Sequence, residues 1–144
     1  MEIVNPDLYL SMDVHTVRNL ELFETIRLKE RMYSLIWFLD KTKTAMGART
    51  LKSMLMHPLK DFNLINERLD IVEKLNNEFL LREELRNNLY EVYDLERLCS
   101  KVICGTLNAR DLLQIKKSLH VLPNISSIVN NLGFDFNINC HKEL

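Results

Sequence analysis

The stretch SLIWFLDKTKTAMGARTLKSMLMHPL, from Ser34 to Leu59, leaves this chain few ways to fold. Met32, Leu35, Ile36 and Leu39 fall at helical spacing, with Trp37 and Phe38 widening the apolar side. The pattern predicts a core helix over Arg27–Asp40. Asp40, Lys41, Thr42, Lys43 and Thr44 then interrupt the apolar run. A threonine hydroxyl accepts a bond from an orphan amide at a helix start, so Thr42 or Thr44 caps the next helix. Ala48, Leu51 and Leu55 form its stripe, and His57-Pro58 stops it, because the residue before proline is pushed out of helical dihedrals. Two core helices about a polar break are expected, with Trp37 and Leu55 as packing residues.

Local signals continue the pattern. Asp61 stands as a cap before Leu64, Ile65, Leu69, Val72 and Leu75, which keep a helical period. Leu81, Leu85, Leu89 and Val92 make the next stripe. Asp94 caps a helix bearing Leu95, Leu98, Val102 and Ile103, and Gly105 ends it, since glycine tolerates left-handed dihedrals. Asn108 restarts a helix through Leu112, Ile115, Leu119 and Leu122, which is expected to stop at Pro123 and be followed by a last short helix, NISSIVNNL. Between Ile3 and Phe23, two short extended pieces flanking a helical turn are expected. Only three glycines and three prolines occur, too few for many tight strand turns. The fold class is therefore mainly α, an irregular bundle of about seven helices with a short extended or β segment near the N-terminus.

Charge and motifs exclude much. Nineteen basic residues against 20 acidic give a net charge of −1, so no global field steers the chain to nucleic acid or anionic lipid. No stretch approaches the roughly 18 apolar residues of a membrane span. Gly47, Gly105 and Gly133 lie far apart and form no phosphate-binding loop. Cys99, Cys104 and Cys140 read as reduced thiols, and as buried small hydrophobes rather than metal ligands. Cys140-His141 with a five-residue cysteine offset does not make a four-ligand zinc set. His15, His57 and His120 have no serine or cysteine in a nucleophile motif and read as surface or capping residues. No catalytic, cofactor or metal residue is expected in this segment. The best basic cluster is Lys41, Lys43, Arg49 and Lys52, tempered by Asp40, with candidate weak phosphate contacts. Arg110 and Lys116-Lys117 make a second, weaker patch. An ordinary solvated face is the plainer reading of both.

Five segments in order carry a resemblance: MDVHTVRNLEL at 12–22, the stretch 34–59, INERLDIVEKL at 65–75, DLERL at 94–98 and NARDLLQIKKSL at 108–119. Together they resemble the MutS family of DNA mismatch repair ATPases, in the N-terminal part of its core or lever domain, domain III. The likeness runs from about Leu8 to Pro123. It marks Arg18, Asn19, Glu21, Thr42, Thr44, Gly47, Arg49, Asp94 and Arg97 as structural family positions. Asn19 and Thr44 are expected to bond backbone at turns, Gly47 to permit close helix approach, and Arg49 to pair with a carboxylate such as Asp40 across the break.

The resemblance implies that residues 1–144 form a single partial domain lacking the clamp insertion and the return helices. Its role would be structural and allosteric, linking mismatch- and DNA-binding domains to an ATPase, with no catalysis of its own. ATP and Mg²⁺ would belong to the parent chain. Partners would be the parent's other domains, a second subunit in a homodimer, mismatched double-stranded DNA and a MutL-type protein, with no membrane. The setting would be a bacterial cytoplasm, at the nucleoid through DNA. The alternatives are the core domain of a paralogue acting in recombination, and a free-standing helical adaptor. Helices meant for absent segments would expose apolar stripes, so association through Leu- and Ile-rich faces in the last third is expected.

Overall fold

A computed structural model describes residues 8–133, which hold seven α-helices and fall into two compact units divided after Asp70. In the first unit Asp13 starts α1 (Val14–Asn19), its carboxylate accepting the Thr16 amide at 2.6 Å. The extended piece near the N-terminus is an isolated antiparallel bridge between Tyr9 and Leu59. Leu10 donates to the Pro58 carbonyl at 2.7 Å, and Lys60 donates to that of Leu8 at 3.0 Å. The second expected extended run instead forms a turn in which Glu21 takes a left-handed φ of 48° and Leu22 is buried.

The helix expected over Arg27–Asp40 is far shorter: α2 spans Leu35–Leu39. Upstream, Lys29 and Tyr33 adopt φ of 52° and 69°, which no helix accommodates. The cause is local competition for the backbone. Ser34 donates to the Arg31 carbonyl at 2.6 Å and accepts the Trp37 amide at 3.4 Å, taking the cap. The carbonyls of Glu21 and Leu22 accept the Leu35 and Ile36 amides at 3.0 and 2.9 Å. Three orphan donors of a five-residue helix are thus satisfied. Ile36 is buried, but Trp37 is 44 % exposed beside Tyr33, with ring centroids 5.3 Å apart, and is not the packing residue expected. Thr44 caps α3 (Ala45–Met56), and His57 ends it before Pro58. Asp61 accepts the Asn63 and Leu64 amides at 2.8 and 3.0 Å, opening α4 (Phe62–Asn77), which begins in the first unit and ends in the second.

In the second unit α5 (Phe79–Tyr90) and α6 (Leu95–Ile103) each pack on α7 (Ala109–Asn131). Leu98, Val121, Ile128, Val129 and Leu132 are its buried apolar residues. The expected stop at Pro123 is absent, because α7 runs through it. A proline inside a helix costs about 3 kcal/mol. Val121 on one side and Ile128 and Val129 on the other are buried, each stabilising by about 1.5–3 kcal/mol, so burial outweighs the lost bond. Cys99 and Cys104 are exposed, not the buried hydrophobes expected: α6 buries only Leu98, and Cys104 lies past its last residue as the C-cap. Leu112, Leu113, Leu119, Leu122, Val102 and Ile103 are likewise exposed.

Gly105 ends α6 as expected. Its φ is 67°, its amide donates to the Val102 carbonyl at 3.1 Å, and Thr106 donates to that of Lys101 at 3.0 Å. Nothing lies within 4 Å of where a Cβ would stand, so Gly105→Ala tests backbone conformation alone. It is expected to lower stability by about 1 kcal/mol. An unchanged midpoint in urea would show that the left-handed cap does not matter.

Candidate functional site

The polar break of the first unit is built around one carboxylate. Asp40, at the end of α2, accepts from the Thr42 hydroxyl at 2.6 Å and the Thr42 amide at 3.2 Å, and is paired with Arg31. These donors, Thr42 foremost, hold its carboxyl below the usual carboxylate range. Two residues on, the Thr44 hydroxyl accepts the Gly47 amide at 3.0 Å. A Cβ on Gly47 would stand 3.0 Å from that hydroxyl and 3.6 Å from Thr42 Cβ.

The guanidinium of Arg31 is paired with Asp40. The expected helix hid this pair: nine residues at 100° each put Arg31 and Asp40 on opposite helical faces. Arg49 lines a depression of about 330 Å³ with Phe23, Arg31, Ile36, Asp40, Ala48 and Lys52. Lys52 Nζ lies 5.2 Å from the Phe23 ring centroid, over its face. Of the basic cluster, then, Arg49 and Lys52 converge, while Lys41 and Lys43 sit exposed on the break and do not line the depression. Arg18 occupies the last turn of α1, where a cation complements the helix dipole, and Asn19 closes that helix. Glu21 holds the following turn, its carboxylate accepting the Ile26 amide at 2.7 Å.

The second unit has its own polar cluster. Asp94 accepts the Arg97 amide at 3.2 Å and caps α6. Asn108 and Asp111 form a reciprocal capping box at the start of α7: Asn108 Oδ1 accepts the Asp111 amide at 2.9 Å, and Asp111 Oδ2 accepts the Asn108 amide at 3.2 Å. Lys101 Nζ donates to Asp111 Oδ1 at 2.8 Å. Lys101 first, then the Asn108 amide, lowers the Asp111 carboxyl pKa. Tyr93, Asp94, Arg97, Lys101, Asp111 and Gln114 surround a depression of about 280 Å³. Ser118, fully buried, accepts the Tyr93 amide and donates to the Gln114 carbonyl, both at 2.9 Å.

Sequence reasoning missed Arg31, Asp111 and Ser118. The Asn-x-x-Asp spacing of Asn108 and Asp111 was a readable signal for one of them. The other two depend on contacts distant in sequence.

Asp40 and Asp111 make stability depend on pH with a defined sign. Their folded pKa values lie below the unfolded value, so their contribution is present above about pH 4 and lost as pH falls through the folded values. The thermal midpoint is expected to stay level from about pH 7 to 5 and drop below about pH 4. Asp111→Asn is expected to lower the midpoint at neutral pH and shrink the acid drop. An acid profile unchanged by that substitution would remove Asp111 from the account.

His57 caps the C-terminus of α3 with its ring edge-on to Tyr9, centroids 6.4 Å apart, while His15 and His120 are exposed. Among the described residues no group of three or more His, Cys, Asp or Glu is placed to hold a metal, and no helix is long and apolar enough to cross a membrane. Cys140 and His141 lie outside the described residues. What the marked side chains of Glu21, Thr44, Asp94 and Asn108 do is accept main-chain amides, which fixes turns and helix starts.

Comparison with known proteins places this geometry. The family model described as MutS domain III matches residues 15–141. Over 132 residues the chain is 52 % identical to the DNA mismatch repair protein MutS of Bacillus cytotoxicus, and 51 % identical to those of Bacillus cereus and Bacillus thuringiensis. Each alignment covers 92 % of this chain and 15 % of the relative, so the chain spans about 15 % of the length of the curated relatives it matches.

Proposed function

Because the chain belongs to the MutS family, as its domain III, we propose that it is the structural and allosteric core segment of a DNA mismatch repair ATPase. The observation that carries this reading is the 52 % identity over 132 residues to a DNA mismatch repair protein. The segment links the parent's mismatch- and DNA-binding parts to its ATPase and performs no chemistry itself. ATP and Mg²⁺ bind elsewhere in the parent. The parent works as a homodimer on mismatched double-stranded DNA in the cytoplasm, at the nucleoid, with a MutL-type partner. Lys41, Lys43, Arg49 and Lys52 add weak contacts to DNA phosphates.

The chemistry of the site supports a transmitting role. Side chains that carry the family likeness hold turns and helix starts rather than reactive groups, Glu21, Thr44 and Asp94 among them. Close-packed helices shift as bodies rather than deform continuously, which is what coupling between two remote sites requires.

A graft tests the reading. Residues 15–133 replace the matching segment of Bacillus cereus MutS in a strain lacking its own copy. The spontaneous mutation rate is expected to return to that of the intact protein, and mismatched duplex is expected to change ATP hydrolysis as it does there. A graft present at normal level that leaves the rate as high as the deletion overturns the repair assignment. Normal duplex binding with ATP hydrolysis that no longer responds would overturn nothing but the coupling role.

A further inference from the structure

We infer that the first unit carries a self-complementary surface through which two copies of this chain pair, the turn Ile26-Arg27-Leu28 of each copy seating in an aromatic depression of the other. That depression has a volume of about 390 Å³, and Leu20, Glu21, Tyr33, Trp37 and Phe38 are among the residues lining it. Its rings are open to water, with Tyr33 73 % and Phe38 69 % exposed. The planes of Tyr33 and Trp37 are tilted by 55°, so the two faces are not stacked flat on each other and remain available to a third group. Glu21 is the one charged residue of the lining. Its Oε1 accepts the Ile26 amide at 2.7 Å, and its other oxygen makes no hydrogen bond or ion pair among the described residues. Aromatic faces and a carboxylate both attract a cation, so the group that fits is a cation with apolar flanks.

The chain itself presents such a group. The Thr25 amide donates to the Glu30 carbonyl at 2.9 Å and the Lys29 amide to the Thr25 carbonyl at 3.0 Å, which closes a turn over residues 26–28. Within it Ile26 is 43 % and Leu28 70 % exposed. Arg27 between them is exposed and makes no ion pair or ring contact among the described residues. A guanidinium stacks on aromatic planes and forks onto a carboxylate, and the two aliphatic neighbours match the apolar rim. Arg82 already makes a contact of this kind within one copy, 5.1 Å from the Phe79 ring centroid. Among the described residues the non-glycine positions with left-handed φ are Glu21, Lys29 and Tyr33, two lining the depression and one beside the turn. Conformations of that kind persist where the surroundings fix them, and they gather at binding surfaces. The bond from the Ile26 amide to Glu21 makes depression and turn neighbours on one surface. A two-fold axis beside them brings turn to depression and depression to turn at once, which closes the pair. A second copy is therefore the occupant, because it supplies both halves of the contact. First-unit residues alone carry this surface, and it does not rest on the repair reading.

Sedimentation velocity of the 144-residue chain tests the pairing. A concentration-dependent dimer is expected, with a Kd on the order of 10–100 micromolar, because the contact is smaller than the roughly 1,200 Å² at which stable interfaces begin. Trp37 is the only tryptophan, and its emission is expected to move to shorter wavelength over the same concentration range as the partner's turn excludes water. R27Q and E21Q, the latter keeping an acceptor for the Ile26 amide, are each expected to weaken the dimer by about tenfold, a loss of about threefold at each contact counted twice under the two-fold axis. Their circular dichroism should match that of the unsubstituted chain. R27K keeps the charge without the planar fork and is expected to lose less. R68Q, at an exposed arginine of α4, should leave the dimer as it is. A chain still monomeric well above that Kd, equal weakening by R68Q, or a dimer weakened by L112S with L119S on α7 but not by R27Q would each overturn the surface. An open series of larger assemblies would overturn the two-fold arrangement, since unlike patches that do not close on each other build chains.

Discussion

Replacing Ser118 by valine is expected to destabilise the second unit by about 2–6 kcal/mol. Two costs add. The hydroxyl accepts the Tyr93 amide from 25 residues away, and without it a part-buried donor is left unmet, at about 1–3 kcal/mol. The site has no exposed surface, so the extra methyl groups must displace neighbours, at about 1–3 kcal/mol more. Ser118→Ala separates the terms, since it removes the hydroxyl without adding bulk. Urea unfolding measures both, and hydrogen exchange at the Tyr93 amide shows whether the lost bond is the cause. A cost below about 1 kcal/mol for valine would mean that this hydroxyl does not anchor the α5–α6 link to α7.

Ile36→Ala is the second large effect, expected at about 2–5 kcal/mol in the first unit. A five-residue helix has no stability of its own, because nucleation alone outweighs its few internal bonds. What holds α2 is the burial of Ile36, at 7 % exposure, and the carbonyls of Glu21 and Leu22 accepting its first amides. Loss of the side chain loosens both. Asp40, whose amide bonds the Ile36 carbonyl at 2.8 Å, then loses its fixed place beside Arg31 and Thr42. Trp37 is the only tryptophan and is partly exposed, so its fluorescence reports this region alone. An emission spectrum and midpoint like those of the unsubstituted chain would sink the claim.

Caps were the most legible part of the fold. Thr44, Asp61, Asp94 and Gly105 all act where the sequence places them, because a cap needs only a short polar side chain or a glycine and the next three amides. Periodicity was less reliable. Met32, Leu35, Ile36 and Leu39 keep helical spacing, yet Ser34, Glu21 and Leu22 supply hydrogen bonds that end the helix at Leu35. At Pro123 the opposite happened, and buried neighbours carried a helix through a residue that breaks helices by itself. The amide bonds made by Thr44 and Asp94 were legible as caps. The pairing of Arg31 with Asp40 was not, since it follows from turns that no short window reveals.

The bridge between Tyr9 and Leu59 has a consequence for the order of events during synthesis. Its two halves lie 50 residues apart, so residues 8–10 leave the ribosome roughly 2.5–10 s before their partner exists. Until then the Leu10 amide and the Leu8 carbonyl have only water. Helices α1, α2 and α3 can all nucleate in that interval from contacts near in sequence, whereas the bridge must also meet the entropy of closing a long loop. The first unit therefore assembles from its middle outward, and the earliest described residues to be made are among the last to find their place.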